Sequence, residues 1–409
     1  MQRLLLLMAT RTYRARAFVS AAHKLGGEVI VGSERPQALS RIAQGTSLTL
    51  DFRHPERAVD SIVQFGRQKP LTAVVGVDDD TTLVAAMATQ ALSLPGNSPE
   101  SVEAAQNKFR MRTLLAEAGL PSPDFQLLPV TADSGTAAKV PYPCVLKPVF
   151  LAASRGVIRA NDPSEFGSAF QRIQSILTLP EVRQQGGEWA DKILVESYIP
   201  GTEIALEGLL AGGELQVLTI FDKPDPLDGP YFEETIYLTP SRLSHKLQVA
   251  VTDATQQAAT VLGLREGPVH AELRLNERGA WIVEIAARSI GGLCSTVLEF
   301  GAGVSLEDLI LRHAIGADLP EIPNPLSPSG AMMIPIPRRG VLRAINGRDD
   351  AAAVPGIQGI DISIPIGHEV IPLPEGDRYL GFIFARGQTV HEVEWALREA
   401  HRLLEFVID

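Results

Sequence analysis

The sequence has little or nothing of several features that define whole classes of protein. Only two of its 409 residues are cysteines, Cys144 and Cys294. Their wide separation excludes a disulfide framework and a cysteine-based metal motif, and it leaves open a single disulfide between them. No apolar run is long enough to cross a bilayer, and the run near the N-terminus, "LLLLM", is too short for the core of a signal peptide. We therefore expect a soluble, cytoplasmic protein with no membrane partner.

Positive charge is also in short supply. Lysine and arginine together number 37 against 48 aspartates and glutamates, so the formal net charge is −11, and the sequence pI is near 5.3. This balance argues against a nucleic-acid partner and against binding to anionic membranes, although it permits a local basic pocket for a phosphorylated small molecule. Hydrophobic residues make up 45% and charged residues 21% of the chain, which is ordinary for a globular protein of two or three domains.

Three common nucleotide-binding and catalytic patterns are missing as well. No G-x-G-x-x-G follows the first predicted strand, so the dinucleotide-binding fingerprint is absent, and no G-x-x-x-x-G-K-[ST] indicates a P-loop. No convincing Ser-His-Asp or Cys-His set is present, so the sequence offers no protein nucleophile. Any nucleotide site must therefore use another arrangement.

The predicted strands and helices divide the chain into three units. Residues 1–95 alternate strand and helix signals, which predicts an N-terminal α/β domain with a parallel sheet. Residues 96–325 form the central unit, near whose start Ser98 as N-cap and Pro99 at the first helical position predict a helix. Residues 326–409 carry several short strands and one long helix, which predicts a C-terminal α+β domain. The linker before this last unit is marked by Pro320, Pro323, Pro325 and Pro328.

Two polar segments stand at the ends of predicted strands. Asp78–Asp80 follow a strand of the first unit, at the end where open α/β sheets bind ligands, and we expect a solvated loop there. Lys147 ends another strand and precedes the small-residue segment "AASRG". Small side chains let backbone N–H groups approach phosphate oxygens, and the lysine would add a positive charge. The alternative is an exposed lysine beside an ordinary turn.

The segment Val269–Gly292 predicts a β-hairpin with two facing acids. Apolar and polar residues alternate on both sides of a turn at 276–279. If the turn centres on Arg278, Glu272 lies opposite Glu284, and like charges in that position destabilise a strand pair. A shared divalent cation is the simplest compensation, and a solvated face of mixed charges is the alternative. The other polar residues of this face are His270, Arg274 and Arg288.

Four segments in one order resemble the ATP-grasp superfamily, which includes biotin carboxylase, D-alanine–D-alanine ligase and the L-amino acid ligases. They are "NKFRMRTLLAEAGLPSPDF", "CVLKPVFLAASRGV", "ILVESYIPGTEIALEG" and "HAELRL…WIVEIAARSIGG". With the separate C-terminal segment, the chain looks most like the L-amino acid ligase branch. The resemblance implies an ATP-grasp fold of α/β and α+β class, with an N-terminal βαβ domain, a mobile lobe at about residues 125–200 and a C-terminal α+β segment.

The resemblance also implies which residues bind ATP. Lys108 and Lys147 match the two nucleotide-binding lysines, with Lys147 at the α- and β-phosphates. The adenine would meet the hinge at 196–199, and the ribose hydroxyls would meet Glu203. The hinge residues singled out are Glu196, Ser197 and Ile199, and the loop that closes over the triphosphate is Ser154, Arg155 and Gly156.

For the metal and the reaction, the resemblance implies that Glu272 and Glu284 bind Mg²⁺, with Mn²⁺ as an alternative ion. Arg288 matches the arginine that faces the γ-phosphate and the acyl phosphate. One position departs from the family pattern, because Ala286 stands where an asparagine usually provides a further metal contact. His270 lies opposite Ala286 in the predicted register, so we expect it either to fill that gap as a catalytic group or to be an ordinary sheet histidine.

The activity that the resemblance implies is an ATP-dependent ligation of a small-molecule carboxylate, such as an amino acid, to an amine through an acyl phosphate. A bicarbonate-activating carboxylase of the biotin carboxylase or purine-biosynthetic type is an alternative. A nucleotide-binding module without catalysis is another, for which Ala286 is the only hint. The sequence names neither the two substrates nor a general base, and it is compatible with a homodimer.

Overall fold

The computed structural model of the chain describes residues 2–10, 12–35, 47–132 and 141–409. Within these residues, no helix combines the length and the apolar character that crossing a membrane requires. Cys144 and Cys294 are both buried and unpaired, so the disulfide that the sequence left open does not form.

The N-terminal unit is a parallel sheet with helices, as predicted. Its elements are β1 (Arg3–Leu7), α1 (Ala15–Lys24), β2 (Glu28–Ser33), β3 (Ser47–Thr49), α2 (Pro55–Gln68), β4 (Ala73–Gly76) and α3 (Asp79–Ala91). The strand order is β3-β2-β1-β4, and all three pairings are parallel. Alternate leucines of β1 enter two different apolar clusters, because both faces of a parallel sheet are covered.

Two short helices connect this unit to the next one. Helix α4 (Pro99–Gln106) begins with Pro99 after Ser98, whose side chain accepts a hydrogen bond from Ser101 N, which confirms the predicted N-cap. Helix α5 (Lys108–Glu117) follows at once, and Asn107 caps it through Arg110 N. This second cap places Lys108 at the first position of a helix.

A lobe with its own core comes next. Its elements are β5 (Phe125–Pro129), β6 (Cys144–Pro148), β7 (Ile158–Ala160), α6 (Pro163–Leu177), α7 (Pro180–Gly186), a 3₁₀ turn (Gly187–Asp191) and β8 (Lys192–Ser197). The strands form an antiparallel sheet in the order β5-β8-β6-β7. Helix α6 buries its apolar face in a cluster made only of residues from this lobe and the segment at Tyr231.

The rest of the chain is built on an eight-stranded antiparallel sheet in the order β13-β12-β9-β10-β11-β14-β18-β16 and a three-stranded sheet in the order β17-β15-β19. The strands are β9 (Thr202–Ala211), β10 (Glu214–Asp222), β11 (Ile236–Thr239), β12 (Gly267–Asn276), β13 (Gly279–Ala286), β14 (Ser329–Ile334), β15 (Gly340–Asn346), β16 (Ile357–Ile362), β17 (Glu369–Val370), β18 (Gly381–Arg386) and β19 (Glu405–Ile408). The helices are α8 (His245–Leu262), α9 (Thr296–Ala302), α10 (Leu306–Ala314), α11 (Arg348–Ala352) and α12 (Val390–Leu403).

The large sheet runs across the proline-rich linker. Strand β11 precedes the linker and β14 follows it, yet the two pair antiparallel, with Ile236 opposite Met332. The C-terminal residues therefore add strands to the central sheet as well as forming the small three-stranded sheet. The division into three units at about residues 95 and 325 stays a prediction about domain boundaries.

The hairpin of β12 and β13 has the predicted acid pair but not the predicted turn. Asn276 pairs with Gly279, so the turn centres between Glu277 and Arg278, half a residue earlier than expected. A β-bulge at Val283 then shifts the register by one residue, and Glu272 lies opposite Glu284 after all. The extra residue of the bulge therefore offsets the difference between the predicted and the observed turn centre.

Candidate functional site

One cleft lies between the lobe sheet and the eight-stranded sheet. Four of the thirteen predicted site residues, Arg155, Gly156, His270 and Arg288, do not line the cleft. The other nine do: Lys108, Lys147, Ser154, Glu196, Ser197, Ile199, Glu203, Glu272 and Glu284.

Lys147 is a buried cation of this cleft rather than a surface lysine. Its Nζ lies 2.6 Å from Glu196 Oε2, and the two side chains are 6% and 4% exposed. The pair forms because β6 and β8 are neighbours, with Val145 opposite Glu196. Burial lowers the pKa of Lys147, whereas Arg112 and Lys147 overcome burial and hold the pKa of Glu196 below its ordinary value. The arrangement keeps a positive charge where a desolvated phosphate could meet it.

Arg112 ties the hinge strand to the acid hairpin. It is fully buried, its Nε is 2.7 Å from Glu196 Oε1, and it donates to the carbonyl oxygens of Ile282 and Val283 at 2.9 and 2.8 Å. These two carbonyls lie at the β-bulge, so the arginine supplies hydrogen-bond donors to the backbone where the ladder is irregular. Sequence reasoning missed Arg112, although its spacing of four from Lys108 in a helix was a signal.

Lys108 faces the second acid of the hairpin. Its Nζ donates to Leu151 O at 2.8 Å and lies 3.3 Å from Glu284 Oε2. The start of α5 is held in place because Lys108 N donates to Val149 O at 2.9 Å. The structure thus brings both predicted nucleotide-binding lysines, Lys108 and Lys147, into one cleft.

The small-residue loop has the backbone conformation of a tight turn but not every predicted contact. Ala153, Ser154 and Gly156 have φ of +55°, +53° and +73°. Ser154 lines the cleft. Arg155, however, donates to Glu375 O at 2.9 Å, and Gly156 N donates to Pro374 O at 2.9 Å. The C-terminal segment therefore holds the groups that we expected to face the triphosphate.

The hinge at 196–199 and Glu203 both form hydrogen bonds within the protein. Ser197 N donates to Asp124 O at 2.8 Å, and Ile199 O accepts from Arg274 Nη1 at 3.0 Å. Both carboxylate oxygens of Glu203 are paired, one with Lys223 Nζ at 2.9 Å and the other with Arg274 Nε at 2.9 Å. Arg274 and Lys223 therefore compete with any ribose hydroxyl for Glu203.

Three carboxylates surround Lys223 at the inner end of the cleft. Glu203, Glu234 and Glu272 each bring an oxygen within 4.8 Å of the others, a geometry that could hold a cation. Lys223 Nζ contacts Glu234 and lies 3.3 Å from Glu272. Burial and the charge of Glu272 raise the pKa of Glu234 to about 8, whereas the three acids overcome burial and raise the pKa of Lys223 well above its ordinary value.

Comparison of the sequence and of the fold with known proteins points to one family. Family models match an ATP-grasp N-terminal domain at residues 19–96, an ATP-grasp domain at 140–297 and an L-amino acid ligase C-terminal domain 2 at 332–409. The crystal structure of L-amino acid ligase from Bacillus licheniformis superimposes with a TM-score of 0.85 at 25% identity, covering 100% of this chain and 99% of that one. The chain belongs to the ATP-grasp superfamily of ligases. The predicted fold and the resemblance to the L-amino acid ligase branch are confirmed.

Two relatives of this ATP-grasp chain are longer than it is. Alanine–anticapsin ligase of Bacillus subtilis (strain 168) is 26% identical, in an alignment that covers 66% of this chain and 63% of the relative. Carnosine synthase 1 of Gallus gallus is 28% identical, in an alignment that covers 75% of this chain and 34% of the relative. The chain thus spans less than two thirds of the length of either protein.

His270 lies opposite Ala286 in the ATP-grasp hairpin, as the register predicted. Its Nδ1 is 3.0 Å from Glu207 Oε2 and its Nε2 is 3.5 Å from Glu272 Oε1. Burial opposes the charged ring, but hydrogen bonds to the two glutamates raise the pKa of His270 to about 9. In this structure the imidazole is paired with both carboxylates beside the Ala286 gap.

Arg288 is paired with a residue that does not line the cleft. Its Nη2 lies 2.8 Å from Asp79 Oδ2. Asp79 begins α3, with Asp78 as the N-cap residue in a capping box with Thr81, so the aspartate run is not the solvated loop that we expected. At this helix start Asp78 N donates to Thr81 Oγ1 at 3.3 Å and Thr81 N donates to Asp78 O at 2.9 Å. No motif in the sequence pairs Asp79 with an arginine 209 residues later.

Among the described residues, the site groups that sequence reasoning missed are mostly partners of the predicted ones. Lys223 and Glu234 belong to none of the motifs that the sequence analysis singled out. Glu207 stands two positions after Ala205 in β9. It lies opposite His270 of β12, so these two side chains share one face of the sheet. Its contact with Ile290 N, at 3.0 Å, depends on a segment distant in sequence. These groups become visible only when the strands are placed side by side.

Proposed function

We propose that this ATP-grasp chain is an ATP-dependent carboxylate–amine ligase that forms an amide or peptide bond, with an amino acid as one substrate. The observation that carries the proposal is the single cleft that joins two buried lysines to a set of facing carboxylates. The similarity of the whole chain to an L-amino acid ligase supports an amino acid as the class of substrate. We further propose that it acts in the cytoplasm, where ATP is available, and a homodimer stays a prediction that sedimentation would check.

In the proposed nucleotide complex, Lys147 and Lys108 neutralise phosphate charge. Both are nearly fully buried, so water cannot replace them in that role. The hinge at 196–199 and Glu203 line the same cleft and would meet the adenosine. Ser154 would contact the triphosphate from the loop, whereas Arg155 and Gly156 would first have to leave the C-terminal segment.

The donor set fits Mg²⁺, and Mn²⁺ as well. Glu272 and Glu284 are directly opposite each other, and the oxygens of Glu203, Glu234 and Glu272 converge. Hard divalent cations prefer such carboxylate oxygens together with phosphate oxygens. Bound there, the ion would neutralise charge on the phosphoryl oxygens. Lys223 and Lys108 compensate the same carboxylates in this structure, at 3.3 Å from Glu272 and from Glu284.

The proposed chemistry needs positioning and charge neutralisation rather than a protein nucleophile. The substrate carboxylate attacks the γ-phosphate of ATP and gives an acyl phosphate and ADP. The amine then attacks the acyl carbon, phosphate leaves and the amine loses a proton. Lys108, Lys147 and Arg288 would stabilise the negative charge that develops on the transferred group. Closure of the lobe over the cleft would keep water from the acyl phosphate.

The test is phosphate release with ATP and Mg²⁺ across pairs of amino acids and other small acids. The proposal expects release that needs both an acid and an amine, with ADP and the amide as products detected by mass spectrometry. Release with bicarbonate but with no amino acid pair would instead support a carboxylase. Nucleotide binding by calorimetry without turnover on any pair would support a binding module and overturn the ligase proposal.

A further inference from the structure

The N-terminal unit brings one acidic side chain to the reaction site. Asp79 is the first residue of α3, three residues after β4 ends at Gly76, at the carboxyl edge of the parallel sheet. Its Oδ2 lies 2.8 Å from Arg288 Nη2, and the arginine side chain is only 13% exposed. A charge-assisted bond that is largely sheltered from water constrains the guanidinium more than a surface pair would.

The backbone of Asp79 is fixed by two hydrogen bonds. Its carbonyl oxygen accepts from Gln106 Nε2 at 2.5 Å and from Thr82 Oγ1 at 3.0 Å. Gln106 ends α4 and stands two residues before Lys108, so the start of α3 is tied to the segment that presents a predicted nucleotide-binding lysine. The carboxylate of Asp79 therefore approaches Arg288 from a defined place in the fold.

The backbone that follows Arg288 is held by the same unit. Arg14, fully buried before α1, donates to Ser289 Oγ at 2.5 Å and to Ile290 O at 3.3 Å. Arg288 Nη1 in turn donates to Ser289 O at 3.0 Å. Both the guanidinium of Arg288 and the chain that carries it are thus positioned by residues of the N-terminal unit.

We propose that Asp79 is a positioning residue that holds the Arg288 guanidinium for phosphoryl transfer. The inference rests on the proposed function, in which Arg288 stabilises charge on the transferred group. Glu284 and Glu207 also act electrostatically on Arg288. Without Asp79, the guanidinium would turn toward these carboxylates, and its charge would be misplaced in the transition state.

The first test compares Asp79→Asn with Asp80→Asn, which removes the same charge from the next helix position. Asp79→Asn should lower kcat by about 10- to 100-fold, with the KM for ATP within about twofold, because the lost interaction matters only in the transition state. Asp79→Glu should restore part of the loss. In an Arg288→Ala background, Asp79→Asn should cost nothing further, since its partner is already gone. Equal turnover of Asp79→Asn and Asp80→Asn, or additive losses with Arg288→Ala, would overturn the proposal.

The second test does not depend on ligation. Phenylglyoxal modification of Arg288, mapped by mass spectrometry, should be several times faster in Asp79→Asn than in the wild type or Asp80→Asn. Thermal melts would establish that each variant is folded. If no acid and amine pair supports turnover of the wild type, the proposed function fails, and the modification rate alone decides the proposal about Asp79. An unchanged rate would overturn it.

Discussion

At the scale of single residues, the cleft is an arrangement of compensated charges. Lys147 is paired with Glu196, Lys108 with Glu284, and Lys223 with three acids. Burying a charged lysine or glutamate lowers the free energy of unfolding unless the charge is paired, so each of these side chains stabilises its partner. The same lysines and acids would face phosphate and metal in the nucleotide complex, which means that binding would exchange one set of ionic partners for another.

Lys147→Met should weaken ATP binding strongly, by about 10-fold or more, because a charge that meets desolvated phosphate is not replaced by water. It should also destabilise the fold, since Glu196 keeps only Arg112 as an ionic partner. Calorimetric titration with ATP and Mg²⁺ measures the first effect. Lys192→Met, at the start of the neighbouring strand β8 and outside the cleft, is the control. ATP affinity equal to that of the control would remove Lys147 from the site.

Glu272→Gln and Glu284→Gln test the shared cation. Each should lower ligase turnover by about 100-fold or more, and added Mg²⁺ should partly restore it if coordination is what was lost. Metal-free thermal melts should change little for Glu284→Gln, whose side chain is 27% exposed. Glu277→Gln, in the turn of the same hairpin, is the control. Near wild-type turnover of both variants at ordinary Mg²⁺ would contradict the metal assignment.

At the scale of elements, the loop at 153–156 depends on a glycine and on a segment from another part of the chain. Gly156 has a φ of +73°, and a Cβ there would lie 2.8 Å from Pro148 Cγ. Its N–H and the Arg155 side chain bond the segment at Pro374 and Glu375. Arg172 in α6 also bonds Glu375, at 2.9 Å, so the lobe is joined to the C-terminal residues at more than one point.

Gly156→Ala should therefore destabilise the protein by about 1–2 kcal/mol from the backbone conformation alone, with a further cost from the contact with Pro148. It should also raise the KM for ATP, because the loop that carries Ser154 must shift. Gly167→Ala, in the interior of α6 with open space around it, should instead stabilise by about 0.5–1 kcal/mol. Denaturant unfolding and ATP kinetics measure both. Equal changes of the unfolding free energy and of the KM for ATP in the two variants would show that the loop conformation matters neither for stability nor for ATP binding.

At the scale of the whole molecule, the N-terminal unit shares a core with the central sheet. One apolar cluster contains Leu4 and Phe18 of the first unit, Phe221 of β10 and Phe382 of β18. A buried ion pair crosses the same contact, with Arg14 Nη2 2.7 Å from Glu307 Oε1 and both side chains at most 3% exposed. The units predicted from the sequence are thus packed as one body around the segment at Arg288.

Arg14→Met should cost about 3–5 kcal/mol of unfolding free energy, because it leaves Glu307 buried without its charge partner. It should also lower turnover, since Ser289 and Ile290 lose their donor. Arg3→Met, which breaks the partly exposed pair with Glu28 inside the first sheet, should cost no more than about 1 kcal/mol. Denaturant titrations compare the two variants. Equal small losses would show that the contact between the units is not held by this pair.

The sequence by itself determined the periodic and local features of this protein. Alternation of strand and helix signals was sufficient for the parallel sheet, Ser98 and Pro99 for the start of α4, and the order of four motifs for the ATP-grasp family. The hairpin that carries Glu272 and Glu284 was also predictable, because its two strands are adjacent in the chain, whereas the register that makes the two acids face each other needs the bulge at Val283. Such features depend on residues within a few turns or strands of each other.

Only the tertiary structure decided which distant groups pair. The β-bulge at Val283 brings Glu284 opposite Glu272, and Arg112 of α5 donates to the carbonyl oxygens of Ile282 and Val283 at this point. Asp79 starts a helix and pairs with Arg288, and the C-terminal segment takes the N–H of Gly156. Each of these contacts joins residues far apart in sequence, where packing of whole elements sets the distance and local pattern carries no signal.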